Sequence, residues 1–307
     1  MAFNPLQTRA ARVTVSVTRP SGVTLSGEQT DTYVFEQHRM SIRVVQGGGR
    51  FGDAEVNIQG VPLAVMNNVA RLPLVPMTIY PNDTLSIDVW DGSQFVPFFS
   101  GVIDWAESDG TQMPKTALTI HANACLAGAQ TVGAPYSYQG TLDLKSILTG
   151  ILKGSPFALD WAPSMPQLTV TNPRYSGSVG DQVDMCLRAF PQVTHDYNLQ
   201  RLRVFPANGS FADDPILVSP ATGMQRSPKY GTHATTFTTL FDPSFTPGRA
   251  IKLDSAFTTT GGANSIWVAR VLNHLIEPNT LNGQWITQCA AIGILSNPDT
   301  NTQTPGS

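Results

Sequence analysis

The chain has 307 residues, of which 41% are hydrophobic and only 13% are charged, and 19 Lys and Arg residues against 22 Asp and Glu residues leave a formal net charge of −3. Disordered chains combine low hydrophobicity with high net charge, so this composition excludes them, and an ordinary soluble domain carries about 25% charged residues. The near balance of charge gives no sign of a basic surface for nucleic acid or membranes. We therefore expect a folded chain whose charge-poor surface is covered by partners.

The amino terminus lacks the apolar core of a secretory signal, and no segment approaches 18 consecutive apolar residues. These observations predict no membrane insertion and synthesis in the cytoplasm. Cys125, Cys186 and Cys289 are odd in number and far apart in the chain. Zinc sites show paired ligands at close spacing, and disulfide frameworks use even numbers of cysteines, so we expect three buried, reduced thiols.

Residues 1–128 have the pattern of a first β-barrel domain. Short segments with alternating apolar residues are separated by Gly, Pro, Asn and Asp, as with Val13, Val15 and Val17 near the start. Many short strands favour a barrel or a sandwich. In this region only residues 61–72 are typical of a helix.

Residues 129–212 are predicted to form a small α/β domain. Apolar residues at helical spacing follow Thr141, a possible N-cap, and a second helix is predicted from a Ser178–Asp181 capping-box pattern to a stop at Pro191. Strand-like segments flank these helices at 157–161, 168–171 and 199–205.

Residues 213–295 return to short strands and are predicted to form a second β-barrel domain. The segments AIKLDSAF, IWVARV and WITQCAA follow one another as LSIDVWDG, FFSGVI and LTIHANA do in the first domain. Either a duplication or convergence of β patterns explains this similarity. Residues 296–307 are polar and predicted to be disordered. The predicted fold class is mainly β, with an α+β insertion: two barrels flank the small α/β domain.

The segment GGGRFG satisfies the pattern G-x-G-x-x-G through Gly47, Gly49 and Gly52. A dinucleotide site needs a helix after the glycines, whereas the following DAEVNIQG alternates like a strand. The glycines therefore indicate a hairpin loop, and no cofactor follows from them.

The histidines give no metal or catalytic motif, because none of them pairs at ligand spacing: His38, His121, His195, His233 and His274. His195 beside Asp196 is expected in a solvated turn or at a strand edge, since adjacent strand residues point to opposite faces. His121 and His274 are expected to be sheet residues that hydrogen-bond to a neighbour.

Two further functions have candidate residues. Asp104, Glu107 and Asp109 could supply the carboxylates of a peptidoglycan-degrading hydrolase, although a solvated hairpin tip is the simpler interpretation of this segment. Trp90 and Trp105, with loops rich in Thr and Asn, would suit a peripheral receptor- or carbohydrate-binding module. No catalytic residue is assigned in either of these two groups of residues.

The carboxy-terminal third resembles the baseplate or tail hub proteins of tailed bacteriophages through an ordered series of residues. The series comprises Ser219, Pro220, Gly223, Pro228, Gly231, Thr239, Leu240, Phe241, Pro243, Pro247, Gly248, Leu253, Trp267, Val268, His274, Gly283 and Trp285. Looser similarity extends into the middle domain and toward residue 100, whereas the first 80 residues match only in general β character.

The resemblance implies a structural, non-enzymatic virion protein in the phage tail baseplate. Hub proteins of this kind are homotrimers, and each subunit contributes two tail-tube-like barrels, so threefold symmetry mimics the sixfold symmetry of the tail tube. The implied partners are tail tube or distal tail subunits and a trimeric central spike. Genomic DNA would pass transiently through the channel, and no metal or cofactor is implied.

Ten of the matching positions are candidate structural or interface residues: Pro220, Gly223, Pro228, Leu240, Pro243, Pro247, Gly248, Trp267, His274 and Trp285. Four of them are expected at turns and crossovers around the start of the second barrel: Pro228, Pro243, Pro247 and Gly248. Trp267 and Trp285 would supply apolar area to a barrel core or to a subunit contact.

Overall fold

The computed structural model describes residues 9–19, 29–47, 52–70, 83–111, 113, 115–232, 234–255 and 266–293. The strands before residue 130 are β1 Ala11–Arg19, β2 Gln29–Phe35, β3 Met40–Gly47, β4 Asp53–Gln59, β5 Thr84–Trp90, β6 Phe95–Asp109 and β7 Ala117–Asn123. The middle strands are β8 Tyr136–Ser137, β9 Thr141–Asp143, β10 Ala158–Trp161, β11 Thr169–Thr171, β12 Arg174–Tyr175, β13 Val193–Asn198 and β14 Arg201–Pro206. The last strands are β15 Ala212–Val218, β16 Met224–Tyr230, β17 Ala234–Leu240, β18 Arg249–Leu253, β19 Ile266–Ile276 and β20 Trp285–Gly293. The helices are α1 Leu63–Val69, α2 Leu126–Gln130, α3 Leu144–Ile151 and α4 Val179–Arg188, with a 3₁₀ turn at Pro220–Thr222.

One sheet joins strands from both ends of the chain. Its hydrogen-bonded order is β16-β17-β20-β19-β3-β4-β7-β6-β5-β1-β2, with β18 beside β19 and β15 beside β18. Alternation builds this sheet: in β5, Leu85, Ile87 and Val89 are buried and the residues between them are not. The mainly β fold class is confirmed, and among the described strands the path does not close into a ring.

The middle of the chain supplies three small sheets and two helices. Its sheets are β10-β14-β13, β9-β11 and β8-β12. Helix α3 buries Leu144, Ile147 and Leu148 on one face, as the helical spacing predicts. These elements confirm the predicted mixture of helix and strand in this segment.

The predicted start of the first helix, α3, was wrong, and the predicted start of the second, α4, was right. Thr141 lies in strand β9, and the side chain of Asp143 caps α3 by accepting from the Ser146 amide at 2.9 Å. The capping box at Ser178 and Asp181 is present at the start of α4. Pairing with β11 extends the chain through Thr141, so the cap moves to the next side chain with a free acceptor.

Buried apolar side chains form two clusters. One cluster contains buried residues of strands β1 to β7 and of helix α1, together with residues of α3, α4 and the strands of the middle segment, residues 129–212. The other lies between Val218 and Ala291. All three cysteines are buried and unpaired, which confirms the predicted thiols, and burial raises the pKa of each thiol.

Two further expectations need correction, and one is confirmed. Asp104, Glu107 and Asp109 lie within β6 and not in a loop, because β7 pairs with β6 as far as Asp109. Asp196 lies on the edge strand β13 but is fully buried, not solvated. Strand β4 follows the glycine segment and pairs with β3, so the predicted hairpin is confirmed; residues 48–51 of its loop, His233 and the predicted disordered tail at 296–307 lie outside the described residues.

Within the described ranges, no helix has both the length and the apolar character to cross a bilayer.

Candidate assembly edges and inter-unit junction

The sheet contains the same strand arrangement twice. We call β3-β4-β7-β6-β5 the first unit and β16-β17-β20-β19-β18 the second unit, because the strands are paired in the same order in both. A register shift interrupts each long strand at the same place, at Asp104 in β6 and at Arg270 in β19. A bulge is a specific local feature, so its repetition favours duplication over convergence.

The bulges align the two units residue by residue. In each unit, the residue that follows the bulge pairs directly with a residue on the next strand. Continuing from strand to strand in this way gives a row of four paired residues. The row runs through Trp105, His121, Glu55 and Arg43 in the first unit, and through Val271, Ala290, Thr236 and Lys229 in the second. Arg43 and Lys229 therefore occupy corresponding positions, and both side chains are exposed.

The two units meet edge to edge along what we call the seam. Strand β19 pairs with β18 through residues 266–268 and with β3 through residues 271–276. At one end of the seam Gly47 lies opposite Val271 with φ +82°. A Cβ atom on Gly47 would overlap the carbonyl oxygen of Arg270, so the seam requires glycine here.

Aromatic side chains pack across the two units on the buried side of the seam. The ring of Phe98 lies 5.0 Å from both Phe241 and His274, and Phe241 lies 5.5 Å from Trp285, all edge to face. His274 is fully buried, and its Nδ1 is 2.9 Å from the hydroxyl of Thr287. Burial lowers the pKa of His274 to about 3, so the imidazole is neutral and structural, as expected for a hydrogen-bonded sheet residue.

The middle segment is tied to the seam by buried polar groups. The Gly47 amide donates to Oδ1 of Asp196 at 3.0 Å. Burial raises the pKa of Asp196 to about 6, although the nearby Arg203 and the Gly47 amide act in the opposite direction. Arg203 in turn donates to the carbonyl of Pro247 at 3.3 Å. These contacts connect β3, β13, β14 and the loop before β18.

The bulge residue Arg270 binds the turn that follows β14. Its guanidinium donates to the carbonyls of Pro206 at 3.2 Å, Ala207, and Gly209 at 3.3 Å. Burial lowers the pKa of Arg270 to about 10, and the charge is retained at neutral pH. The bulge thus aims one side chain from the seam into the middle segment, which is a common use of bulges.

The remaining candidate residues lie in three places. Pro220 and Gly223 belong to the crossover before β16, where Gly223 at φ +109° packs against Leu240. Gly248, at φ +82°, follows the buried Pro247 and lies against Phe205 and Phe211, whereas Pro228 is within β16 and Pro243 is in the loop after β17. Trp267 contacts Tyr230 in the second unit at 5.9 Å and is 7% exposed.

Within the described residues, each unit has one strand edge along part of which no partner strand is described. Strand β5 pairs with β6 as far as Val102, and the Ile103 amide donates to the backbone carbonyl of Asp83 at 2.9 Å. Residues 71–82, which precede Asp83, lie outside the described residues, and beyond Ile103 no described strand pairs with this edge of β6. Strand β16 pairs only with β17 among the described strands. The two edges carry opposite charges: Glu107 and Asp109 are exposed on β6, and Arg226 and Lys229 on β16.

His121 lies beside the bulge of β6. Its Nδ1 is 2.7 Å from Oδ1 of Asp104, its Nε2 is 3.8 Å from Asp53, and its ring stacks on Trp105 at 5.5 Å. The two carboxylates, Asp104 first, raise the pKa of His121 to about 9. Asp104 and Trp105 are thus engaged in a charged cluster on the sheet; no group of three or more His, Cys, Asp or Glu side chains in the described part of the chain could hold a metal ion.

Sequence reasoning missed Arg203 and Arg270, and it placed Asp196 in solvent. Arg203 and Arg270 are ionisable residues inside apolar strand patterns, and burial of such residues requires a partner. That signal marks the residues but not their partners, because the partners come from remote parts of the chain.

The chain is similar to the tail protein from Neisseria meningitidis MC58, with a TM-score of 0.60 and 8% identity over 93% of this chain and 96% of that one. It is similar to the E. coli c3393 protein, a type VI secretion component with structural similarity to the T4 tail proteins gp27 and gp5, with a TM-score of 0.58 and 8% identity over 91% and 76% of the chains. The chain is also similar to the 43 kDa tail protein of prophage MuSo2 from Shewanella oneidensis, with a TM-score of 0.58 and 6% identity over 92% of this chain and 97% of that one.

No protein-family model matches the sequence, and no curated protein matches it. At these identities the similarity shows the fold, which is that of phage tail proteins. The resemblance predicted from the sequence is confirmed at that level.

Proposed function

We propose that this protein is a trimeric baseplate hub that joins the tail tube of a bacteriophage to its central spike. The observation that carries the proposal is the duplicated unit, joined edge to edge by the seam within one chain. The fold, shared with phage tail proteins over more than nine-tenths of the chain, supports a structural role in the tail.

The duplication has a geometric use in such a hub. A ring of six equivalent tube subunits needs six similar docking surfaces at equal angles. Three copies of a chain with two similar units present six such surfaces, and the chain can still bind a threefold spike at its other end. We propose that the two units belong to tube-like barrels at 1–128 and 213–295, with the α/β domain at 129–212 between them.

The hub would surround the channel through which DNA leaves the tail. A net charge of −3 suits such a conduit, because a basic wall would bind phosphates and retain the DNA. The protein would work by scaffolding: it starts tube assembly, holds the spike before infection and lines the channel after spike release. Its place would be in the baseplate of the virion.

Native mass spectrometry of the purified chain, followed by electron microscopy of tails that contain it, tests this proposal. We expect a species of three times the 33.0 kDa chain mass and a threefold ring on the tail axis, between tube and spike. A chain that stays monomeric at all concentrations, or one found at the tail periphery, would contradict the hub function.

A further inference from the structure

The two units carry the same hairpin at the same end of the sheet. Strands β6 and β7 are paired as far as Asp109 and Ala117, and β19 and β20 are paired as far as Ile276 and Trp285. Counted from the bulges, Asp109 corresponds to Leu275, so the two connections that follow are equivalent parts of the repeat. The strands from β6 through β7, β4 and β3 to β19 alternate in direction, so both hairpins lie at one end of the sheet.

Each hairpin presents an exposed apolar side chain. Leu281 in the β19–β20 hairpin is 88% exposed, and Met113 in the β6–β7 hairpin is 65% exposed. Single exposed apolar residues are ordinary on a protein surface. The two units differ, however, at other exposed positions, such as Glu55 against Thr236, so an apolar side chain in both hairpins is a specific shared feature. We call Met113 and Leu281 the hairpin tips.

Hydrogen bonds fix the β19–β20 hairpin. Oε2 of Glu277 accepts from the Gln284 amide at 2.8 Å across the base of the hairpin. The side chain of Asn279 donates to the carbonyls of Glu36 at 2.8 Å and His38 at 2.9 Å, in the turn between β2 and β3. The hairpin of the second unit is therefore held against the first unit.

The β6–β7 hairpin, of which residues 112 and 114 lie outside the described residues, is fixed in a similar way. Oδ1 of Asp109 accepts from the amide and the hydroxyl of Thr111 at 2.8 and 2.7 Å. The Gly60 amide donates to the carbonyl of Thr116 at 2.8 Å, which joins the hairpin to the end of β4. Groups that are already ordered lose less conformational entropy on binding, so both hairpins are prepared for a contact.

The opposite end of the sheet contacts the middle segment. Gly47, at the end of β3, donates to Asp196. The side chain of Asn198 donates to the carbonyl of Phe98, in the first half of β6, at 3.0 Å. Arg270, in the first half of β19, donates to the turn after β14. The middle segment occurs once in the chain, so three copies give that end threefold symmetry only, whereas the hairpins occur six times in a trimer.

We propose that Met113 and Leu281 dock the hub onto the tail tube, each inserting into the same apolar pocket on a different subunit of a sixfold tube ring. This inference rests on the proposed hub and specifies which end and which side chains meet the tube. Three chains supply three tips of each kind, and six identical pockets at equal angles match them. Leu and Met have similar volumes and replace each other with little cost, so one kind of pocket accepts both.

The charges on the hairpins favour a protein pocket over a lipid surface. The charged residues of the two hairpins are Asp109, Lys115 and Glu277. Binding to an anionic membrane uses clusters of Lys and Arg, and these hairpins have no excess of cations. The occupant that fits is an apolar pocket of a repeated protein subunit.

Substitution of the tips in the full-length chain tests the contact by co-sedimentation with tail tubes purified from the same phage. We expect Leu281→Asp or Met113→Asp each to lower the affinity of the trimer for the tube at least about tenfold, because a buried apolar contact is lost and a charge enters an apolar pocket. Leu281→Met and Met113→Leu keep the volume and should bind within about twofold of the wild type.

Val132→Asp is the matched control. Val132 is 91% exposed and lies in the middle segment, so this variant should bind the tube as the wild type does. Cross-linking gives a second measurement that introduces no charge. A benzophenone amino acid at position 113 or 281 should cross-link to the tube subunit in assembled tails, and the same group at position 132 should not.

The other outcomes are distinct. Loss of the trimer in native mass spectra of the Asp variants would place the tips between copies of this chain and overturn the inference. Cross-links to the spike, an effect of only one tip, or wild-type binding to phosphatidylglycerol vesicles that the Asp variants lose would also overturn it. A trimer that keeps its tube affinity with both tips changed would overturn the inference and leave the hub intact. A wild-type chain that binds no tube would contradict both.

Discussion

Gly47 of β3 lies against the backbone carbonyl of Arg270 of β19, where the two units of the sheet meet. A Cβ atom on Gly47 would overlap the carbonyl oxygen of Arg270, and the same glycine donates its amide to the buried Asp196. One residue of β3 therefore limits how closely the second unit and the middle segment can approach.

We expect Gly47→Ala to lower the free energy of unfolding by about 3 kcal/mol, because it combines a positive φ with a backbone overlap. Gly60→Ala is the matched control, since Gly60 has φ +74° and no atom within 4 Å of an added Cβ. The control should lose about 1 kcal/mol, from backbone conformation alone. Urea unfolding measures both, and equal losses would contradict a steric role for Arg270.

Asp196 should make stability fall as pH rises. Its pKa is raised from 3.8 to about 6 in the folded protein, so the folded state binds the proton more tightly than the unfolded state. This contribution is fully present below pH 3.8 and is lost as the pH rises through about 6. The shift corresponds to about 3 kcal/mol.

The variant Asp196→Asn keeps an acceptor for the Gly47 amide and cannot ionise. We therefore expect urea unfolding at pH 4, 5, 6 and 7 to show the wild type losing stability relative to the variant across this range. Parallel profiles for the two proteins would show that Asp196 does not titrate in this window.

His121 should titrate far above an ordinary histidine. Its pKa is raised from 6.5 to about 9, with the hydrogen bond to Asp104 the largest cause and that to Asp53 the next. The resulting stabilisation is present below pH 6.5 and is lost as the pH rises through about 9. We expect NMR titration to give a midpoint near 9, and Asp104→Asn to lower it toward 6.5. His274 is the control in the same spectrum, and should stay neutral above pH 5. A midpoint that Asp104→Asn leaves unchanged would contradict the pairing.

The hairpin between β13 and β14 carries strain that glycine should relieve. Leu199 and Gln200 have φ +49° and +56°, a turn that favours Asn and Gly. Gln200 is exposed, and Gln200→Gly should raise the free energy of unfolding by about 0.5 to 1 kcal/mol. Gln192→Gly, at an exposed turn residue without positive φ, should instead lower it slightly. Thermal unfolding of both variants measures this, and a loss of stability in both would show that the turn is unstrained.

Local features of the fold followed from the sequence. The alternation at Val13, Val15 and Val17 predicted a strand with these residues buried, and β1 has this pattern. The capping box at Ser178 predicted the start of α4. Both signals lie within a few residues, where the physical cause is local.

The junction between the two units was harder to predict from the sequence. His121 and His274 look alike as single histidines in β segments, yet one has its pKa raised to about 9 and the other has it lowered to about 3. The difference comes from two carboxylates beside His121 and from complete burial of His274 between Phe98, Phe241 and the hydroxyl of Thr287. Such surroundings are assembled from remote strands, so no spacing rule predicts them.

The sequence by itself determined that this chain is mainly β, that a helical segment interrupts the strands, and that its carboxy-terminal third resembles tail hub proteins, because periodicity and residue type act locally. Only the tertiary structure decided that β3 pairs with β19, that the two units repeat down to a bulge, and that exposed carboxylates lie on β6 and exposed cations on β16. Strand pairing between distant segments depends on contacts that form only when remote parts of the chain come together, so no local pattern in the sequence encodes it.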